Sequence, residues 1–305
     1  MTKIKLVFLG SGSSVPTVER NHPGIFLDYE GDLMLWDCGE SSQRQMMKAG
    51  LKLMKINHIF ITHWHADHFA GLIGLIETFN LGQRKKTLTV YGPEASRFID
   101  AFSELSYWNF GFELKAVDVD FENGITKLFE NRSYKILSVP VKHSVPAVAY
   151  CLEEKDRWNI DMKKARKLGL EEGPMLEKLK EKKKVKIGSK TIWLKDVAVK
   201  TRGKKIVYSG DTAPCNNVKR LAKGADLLIH DSTFLEGPEE ARKESLDERH
   251  TSAGEAAEIA KNAKVKKLIL THFSRRYKNV NTLIKKAKKI FPKTEAAYDL
   301  KKVVI

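Results

Sequence analysis

Short apolar runs alternate along the chain with longer amphipathic segments. Four segments repeat apolar residues at helical spacing, over Gln43–Ala49, Ala95–Leu105, Ser252–Asn262 and Val280–Phe291. Ten further runs have the length and composition of strands: Ile4–Leu9, Ile25–Tyr29, Leu33–Trp36, His58–Thr62, Leu88–Tyr91, Tyr134–Val139, Ala147–Leu152, Lys205–Ser209, Leu227–His230 and Leu268–Thr271. This alternation predicts an α/β fold, with residues 1–305 in a single domain.

One segment breaks the pattern. From about Trp158 to Lys186 the sequence is charged, poor in apolar residues and helical in character. It contains Gly173-Pro174 and then the lysine-rich run Lys180–Lys184. We interpret residues from about 155 to 190 as an insertion that leaves the core and has no core of its own. The residues alone leave two possibilities open, a solvated hairpin without a task or a binding arm.

Charge is the feature of the composition that bears most on function. The 305 residues include 54 Lys and Arg against 38 Asp and Glu, which gives a net charge of +16. Residues 150–205 alone hold 18 Lys or Arg and 9 Asp or Glu. Such a charge attracts polyanions such as nucleic acid or an anionic membrane. A lysine-rich solvated surface of the kind common in thermophiles would give the same total.

The cysteines and the apolar runs indicate the compartment. Cys38, Cys151 and Cys215 lie far apart and form no CxxC pair, which favours a reducing environment. No apolar run is long enough to span a bilayer, and the first residues have the pattern of a strand rather than of a signal peptide. We therefore expect a cytoplasmic protein with no membrane association.

The strongest chemical signal is the loop at residues 62–68, with the sequence THWHADH. It places His63, His65, Asp67 and His68 directly after a predicted strand. In an extended chain His63 and His65 point to the same side, and the next two ligands follow as the chain turns. Imidazoles and carboxylates without thiolates suit zinc and, second, manganese. A chance histidine-rich loop is the alternative, which this density of ligands disfavours.

Three later strands end in residues of the same kind, His143, Asp211 and His272. Because ligands in open α/β sheets gather beyond the carboxyl ends of the strands, these side chains can reach the same place as the loop. Seven ligands are too many for one tetrahedral zinc and suit two metals that share a carboxylate. Such a pair indicates hydrolysis by an activated water, on phosphodiesters, amides, esters or thioesters.

The other histidines fall into two groups. His250 precedes a predicted helix, so it can lie at the mouth of the site and supply the proton that a leaving oxygen needs. A surface histidine beside a helix cap is the alternative. His22, His58 and His230 are expected to be structural. The start Gly10-Ser11-Gly12-Ser13-Ser14 lacks the full nucleotide-binding pattern and predicts a tight turn with backbone N–H groups near the metals.

Several motifs also stand in a specific order along nearly the whole chain: Leu9-Gly10-Ser11-Gly12, Val15-Pro16, Arg20-Asn21, Trp36-Asp37-Cys38-Gly39-Glu40, Tyr208-Ser209-Gly210-Asp211-Thr212, Ala225-Asp226-Leu227-Leu228-Ile229-His230, His250-Thr251-Ser252 and Thr271-His272-Phe273-Ser274-Arg275-Arg276-Tyr277. Together with residues 62–68, this order resembles the ribonuclease Z family of the metallo-β-lactamase superfamily. The resemblance implies a four-layer αβ/βα sandwich of two mixed sheets with outer helices.

The resemblance also implies a role for each residue of the site. It implies two zinc ions per subunit. One zinc would be held by His63, His65 and His143, and the other by Asp67, His68 and His272. The carboxylate of Asp211 would bridge the two ions. Asp67 would also orient or deprotonate the attacking water. His250 matches the proton-donating histidine of the family, and Asp231 matches the carboxylate that supports it. The chain has His230-Asp231-Ser232-Thr233 where the family usually has His-Glu-Ala-Thr, so this carboxylate is one methylene shorter. Ser41-Ser42 likewise replaces the usual Gly-Thr.

For the segment at about 155–190, the resemblance implies an arm that grips the elbow of tRNA. Gly173-Pro174 resembles the Gly-Pro motif at the tip of that arm. Lys182, Lys183 and Lys184 would contact phosphates without reading sequence. The family usually works as a homodimer in which one subunit's arm presents precursor tRNA to the other subunit's site. Its products are a tRNA with a free 3′-hydroxyl and a 5′-phosphorylated trailer.

Two other functions fit part of the sequence. An arylsulfatase-like or cyclic-nucleotide phosphodiesterase on the same fold would share the metals but has no use for a basic arm. A non-enzymatic RNA-binding protein with a structural zinc would explain the charge. Structural zinc sites, however, are closed and usually rich in cysteine, unlike the seven residues proposed here.

Overall fold

The computed structural model describes residues 3–105, 110–235 and 249–305, and these form two large mixed sheets. The first sheet has seven strands in the order β18-β1-β2-β3-β4-β5-β6. Their bounds are Ile4–Gly10 (β1), Gly24–Tyr29 (β2), Asp32–Cys38 (β3), Ile56–Phe60 (β4), Leu88–Gly92 (β5), Leu114–Asp118 (β6) and Lys302–Val304 (β18). Pairing is antiparallel from β18 to β3 and parallel from β3 to β6.

The second sheet also has seven strands, in the order β17-β16-β15-β14-β9-β8-β7. Their bounds are Thr126–Glu130 (β7), Tyr134–Pro140 (β8), Val148–Glu154 (β9), Lys205–Tyr208 (β14), Leu227–Asp231 (β15), Leu268–Thr271 (β16) and Thr294–Ala296 (β17). The strands β14 to β17 run parallel, whereas β7, β8, β9 and β14 pair antiparallel. Each sheet therefore has a parallel half whose strands end at one edge.

Helices cover the outer faces of both sheets. They are Ser42–Lys48 (α1), Ala66–Phe69 (α2), Gly71–Leu81 (α3), Ala95–Leu105 (α4), Asn216–Leu221 (α8), Ala253–Asn262 (α9) and Asn281–Ile290 (α10), with a 3-10 turn at Leu53–Lys55. A capping box formed by Ser252 and Glu255 begins α9. Among the described residues, no helix is long and apolar enough to cross a membrane.

Three apolar layers hold this arrangement together. Phe8 and Trp36 of the first sheet share a buried cluster with Tyr150 and Ile206 of the second, so the sheets pack face to face. A second cluster joins the first sheet to α3, and a third joins the second sheet to α8, α9 and α10. The predicted four-layer α/β sandwich is confirmed.

The insertion forms its own small unit. Its elements are Arg157–Ile160 (β10), Met162–Lys167 (α5), Pro174–Lys182 (α6), Lys184–Ile187 (β11), Lys190–Trp193 (β12), Leu194–Val197 (α7) and Ala198–Thr201 (β13). β10 pairs with β13 at the base, and β11 with β12 as a hairpin. We call residues 155–201 the arm.

The expectation that the arm has no core of its own is wrong. Leu170, Leu179, Ile192 and Val197 are almost fully buried in an apolar cluster that is separate from the three clusters of the sandwich. The mainly helical character expected for the segment from Trp158 to Lys186 is also only partly right. In the short strands β10 and β11 every second residue is apolar and packs against this cluster. This alternation is typical of strands and not of helices.

Candidate metal centre

The loop after β4 turns directly into a short helix, and this turn positions four of the predicted ligands. β4 ends at Phe60, the backbone of His65 is still extended, and α2 begins one residue later. Trp64 anchors the loop, because its indole N–H donates to the carbonyl of Pro93 at 2.5 Å and its ring stacks on Phe98 at 4.2 Å. The histidines on either side of this anchor are thereby turned toward the second sheet.

Three histidines form the first ligand group. Nδ1 of His65 lies 3.1 Å from Nε2 of His63 and 3.1 Å from Nε2 of His143. Two imidazole nitrogens at this distance can share one proton at most, whereas a cation between them accepts a lone pair from each. Burial, followed by the charge of His68, holds the pKa of His63 well below its ordinary value. That ring is therefore neutral, as a metal ligand must be.

The second group contains Asp67, His68, Asp211 and His272, and all four are buried. Nε2 of His68 lies 3.4 Å from Nε2 of His272, and each nitrogen is within 3.5 Å of Oδ2 of Asp67. Burial raises the pKa of Asp67, but His68 and His272 beside it bring that pKa below the ordinary value. The carboxylate is therefore ionised and available to a cation.

Asp211 lies between the two groups. Its Oδ2 is 3.1 Å from Nε2 of His272, 3.3 Å from Nε2 of His68 and 3.8 Å from Nε2 of His63. Gly210, just before it, has a φ of +58° and would place a Cβ 2.8 Å from the Cβ of Thr62, so the turn that delivers Asp211 needs glycine. The structure thus brings all seven predicted ligands together, and this nitrogen and oxygen donor set fits a pair of metal ions.

A third set of possible ligands overlaps the second. It consists of Asp211, Asp231, His250 and His272, and one nitrogen or carboxylate oxygen of each lies within 4.8 Å of those of the other three. Asp231 already has other partners, because Oδ1 accepts from the backbone N–H and hydroxyl of Thr233 at 2.9 and 2.7 Å. Its Oδ2 lies 3.0 Å from Nδ1 of His250. Asp231 and His250 therefore form a carboxylate–imidazole pair beside the second ligand group.

The shorter Asp231 side chain does reach His250. Burial lowers the pKa of His250, but Asp231 outweighs it and the pKa lies above the ordinary value. Thr233 connects this pair to the metal ligands, since its hydroxyl lies 2.8 Å from Nδ1 of His272. With Nδ1 of His250 held by Asp231, Nε2 is the nitrogen left to face a substrate.

Asp37 supports the site, and sequence reasoning gave it no role. Its carboxylate lies 2.8 Å from Nδ1 of His68 and accepts hydrogen bonds from the Thr62 backbone N–H at 2.7 Å and the Tyr208 hydroxyl at 2.8 Å. Asp37 is fully buried, and its φ of +54° is unusual for a residue other than glycine. Part of the signal is in the sequence, because Asp37 directly follows the predicted strand Leu33–Trp36, whereas its place beside the histidine loop follows from the pairing of β3 with β4.

A cleft of about 610 Å³ opens onto both groups. Its walls include Ser14, His65, Asp67, His250 and Arg275. The glycine-rich start forms part of the wall as predicted, and the backbone N–H of Ser14 donates to Oδ2 of Asp67 at 2.8 Å. The cleft is therefore lined by the predicted ligands His65, Asp67 and Asp211 together with the basic side chains of Arg275 and Arg276.

The remaining predicted residues lie away from this cleft's ligands. His22 contacts the carbonyl of Ser14 at 3.1 Å, His58 packs against Phe129, and His230 is buried beside the carbonyl of Asp231. The predicted RNA-binding residues are in the arm, at the two ends of α6: Gly173, Pro174, Lys182, Lys183 and Lys184. The three lysines are exposed.

Comparison with known proteins shows which class of protein the chain resembles. Residues 189–273 match the family model of the beta-lactamase superfamily domain, and residues 4–97 match that of the anti-Pycsar protein Apyc1. A metallo-beta-lactamase fold protein from Bacillus subtilis aligns with a TM-score of 0.70 at 19% identity and covers 100% of both chains, which shows the fold alone. Part of the chain thus matches the beta-lactamase superfamily domain, and the whole chain has the fold of a metallo-beta-lactamase protein.

Closer relatives define the family. Ribonuclease Z from Methanothermobacter thermautotrophicus is 41% identical over 99% of this chain and 97% of its own length. Ribonuclease Z from Pyrococcus abyssi is 45% identical over 90% of this chain and 87% of its own. Human tRNase Z, short form, aligns with a TM-score of 0.70 at 27% identity over 98% of each chain. The chain belongs to the ribonuclease Z family, and the resemblance described from its motifs is confirmed.

Proposed function

We propose that this chain is a zinc-dependent endoribonuclease that removes the 3′ trailer from precursor tRNA. Its membership in the ribonuclease Z family supports this function. The observation that carries the proposal is the pairing of Asp231 with His250, which lines the same cleft as the predicted ligands His65, Asp67 and Asp211. A hydrolase that breaks an alkyl phosphodiester bond needs both an activated water and a proton for the leaving oxygen.

The chemistry of the ligands favours zinc, with manganese as the second choice. Two ions held by the seven residues would act as Lewis acids that activate water and offset the charge of the phosphate. Asp67 is placed to orient the attacking water and to take its proton. The backbone N–H of Ser14 fixes one oxygen of that carboxylate at 2.8 Å.

His250 completes the reaction on the other side of the phosphate. As water adds to phosphorus, the bond from phosphorus to the 3′ oxygen of the tRNA breaks. That oxygen takes a proton from Nε2 of His250, while Asp231 stabilises the charged imidazole through Nδ1 at 3.0 Å. The products are a tRNA with a 3′-hydroxyl and a trailer with a 5′-phosphate.

The arm is the proposed binding site for the body of the tRNA. Residues 155–200 contain 15 Lys or Arg and 7 Asp or Glu, and the lysines at the end of α6 are exposed. Such a surface binds phosphates without reading sequence. We propose in addition that two subunits act as a homodimer in the cytoplasm, each arm serving the partner's cleft.

A cleavage assay with mapped ends tests the function. Zinc-loaded protein and an Asp211→Ala variant are given a precursor tRNA with a 3′ trailer. We expect one cut just after the discriminator base, absent from the variant. No cut by the wild type, together with metal-dependent hydrolysis of a small phosphodiester, would assign the protein to the arylsulfatase-like or phosphodiesterase alternative.

A change of leaving group tests the role of His250. We expect His250→Ala to lower kcat on precursor tRNA about 10²- to 10⁴-fold, because the alkoxide then leaves without a proton. Hydrolysis of bis(4-nitrophenyl) phosphate should change little, since nitrophenolate leaves without one. Asp231→Asn should show the same selectivity with a smaller loss, and His58→Gln, outside the cleft, should affect neither substrate. Equal losses on both substrates would count against a proton-donating role.

A further inference from the structure

The arm presents a tryptophan to solvent. Trp193 is 45% exposed, at the end of β12. In the register of the hairpin it lies directly opposite Lys184, and the Lys184 ammonium is 5.3 Å from the centre of the indole ring. The Lys195 ammonium is 6.0 Å from the same ring. We call Trp193, Lys184 and Lys195 the tryptophan patch.

The pleat of the hairpin explains why this ring faces outward. Val185 and Ile192 form a cross-strand pair that packs into the arm's own apolar cluster. Because side chains alternate along a strand, Lys184 and Trp193 lie on the opposite, exposed face. The arm is therefore held together without Trp193, and the exposed area of this ring serves no internal packing.

The surroundings of the ring are strongly basic. Residues 182–195 contain six lysines and no acidic residue. Within the described part of the chain, none of the six forms a salt bridge with a carboxylate. The next acidic residue, Asp196, accepts a hydrogen bond from the Trp193 backbone N–H at 3.0 Å. An exposed aromatic ring among lysines that have no carboxylate partner complements a polyanion with flat apolar faces, which is the chemistry of RNA.

From this geometry we propose that the tryptophan patch is a nucleotide-binding site of the arm. One unpaired or terminally stacked base of the precursor tRNA stacks on the indole of Trp193. The flexible Lys184 and Lys195 side chains contact the phosphates on either side. This inference rests on the proposed function, and it adds a stacking contact to an arm otherwise expected to bind phosphates alone.

Kinetics of the full-length, zinc-loaded enzyme test the patch. We expect Trp193→Ala to raise KM for precursor tRNA about five- to a hundredfold, the range that loss of one base–aromatic stack gives, with kcat unchanged. Trp193→Phe should restore most of the affinity. Val199→Ala removes an exposed apolar side chain of the same arm outside the patch, and it should leave KM unchanged. Hydrolysis of bis(4-nitrophenyl) phosphate should be the same in all variants.

The dependence of kcat/KM on salt separates stacking from charge. Trp193→Ala should lower kcat/KM at every salt concentration with an unchanged slope, whereas Lys184→Gln with Lys195→Gln should reduce the slope. An unchanged KM in Trp193→Ala, or a loss that Trp193→Phe shares in full, would overturn the stacking proposal and leave the tRNA endonuclease intact. Failure of the wild type to cleave precursor tRNA would overturn the proposed function itself.

Discussion

At the scale of single residues, the site depends on side chains that bind no metal in our assignment. Asp37 holds Nδ1 of His68 at 2.8 Å and so leaves Nε2 to face Asp211 at 3.3 Å. A carboxylate in that position fixes both the tautomer and the orientation of a ligand histidine, and it raises the basicity of the ring. Its position is further fixed by Thr62 and Tyr208. We therefore expect the Asp37 carboxylate to contribute to the metal affinity of the predicted site.

We predict that Asp37→Asn weakens metal binding about 10- to 100-fold, because the amide keeps the shape but loses the charge that polarises His68. Metal content after dialysis against chelators of graded strength measures this. Asp28→Asn is the matched control, since the Asp28 carboxylate lies outside the ligand groups, where it pairs with Lys5 at 3.5 Å and accepts the Gly31 backbone N–H at 2.7 Å. Unchanged zinc retention in Asp37→Asn would show that Asp37 serves the fold alone.

A second buried carboxylate connects stability to pH. Asp226 lies 2.7 Å from the Lys266 ammonium and 2.6 Å from the Arg202 guanidinium, and it accepts the Lys205 backbone N–H at 2.9 Å. Burial raises the pKa of Asp226, but these partners outweigh it and the pKa lies below the ordinary value of 3.8. A carboxyl group of this kind stabilises the fold above its unfolded-state pKa, and the contribution is lost as the pH falls through the folded-state pKa.

We therefore predict that Asp226→Asn lowers the free energy of unfolding by about 1–3 kcal/mol at pH 7, the usual worth of hydrogen bonds to a charged group. The gap between variant and wild type should stay constant down to about pH 5 and narrow only below about pH 4. Denaturant unfolding across this range measures it. Glu258→Gln, at an exposed helix pair, should show no such gap. A gap that widened toward acid would contradict the assignment.

At the scale of elements, the sequence predicted the strands whose two faces are both buried. All ten predicted strands are present, with ends shifted by at most two residues, because their apolar runs lie in the interior of the sheets. The edge strands β6, β7, β17 and β18 were missed, since each has at most one buried residue and so lacks a strong pattern. The seven predicted ligands could be grouped from the sequence because each follows a strand. The contact of Asp37 with His68 could not, because it depends on which strands are neighbours, and a single sequence does not specify that. The role of the seven residues as ligands stays a prediction.

The arm's separate core leads to a prediction for this element. Leu179 is fully buried in the arm, and Leu75 is fully buried between α3 and the first sheet. Leu179→Ala should remove about 2–5 kcal/mol from the arm alone, so its amides exchange faster and precursor tRNA cleavage falls. Leu75→Ala should instead destabilise the sandwich and lower cleavage of small diesters as well. Hydrogen exchange and assays on both substrates measure this. Faster amide exchange in the sandwich of the Leu179→Ala variant would show instead that the arm and the sandwich unfold together.

At the scale of the whole molecule, charge and chemistry are separated in the fold. The arm contributes +8 of the net charge of +16 within residues 155–200, whereas the seven ligands come from loops at the ends of strands in the sandwich. The arm leaves the sandwich after β9, and near its base the Arg157 guanidinium lies 2.7 Å from the Glu154 carboxylate and 3.8 Å from that of Glu30. A tRNA held by the arm has its 3′ end far from its body, so the cleft that cuts it can belong to either subunit of a dimer.

Mixed dimers distinguish these cases. One variant keeps the arm but carries Asp211→Ala; the other keeps the cleft but carries Lys182→Gln, Lys183→Gln and Lys184→Gln. Each variant by itself should cleave precursor tRNA poorly, although each should form a dimer with the same native mass as the wild type. If each arm serves the partner's cleft, random co-assembly makes about half of the dimers mixed, each with one working pair, and restores about a quarter of the wild-type activity. Coexpression followed by sedimentation and cleavage assays measures this. No recovery in mixed dimers would mean that each arm serves its own cleft, and a monomeric wild type would exclude the arrangement altogether.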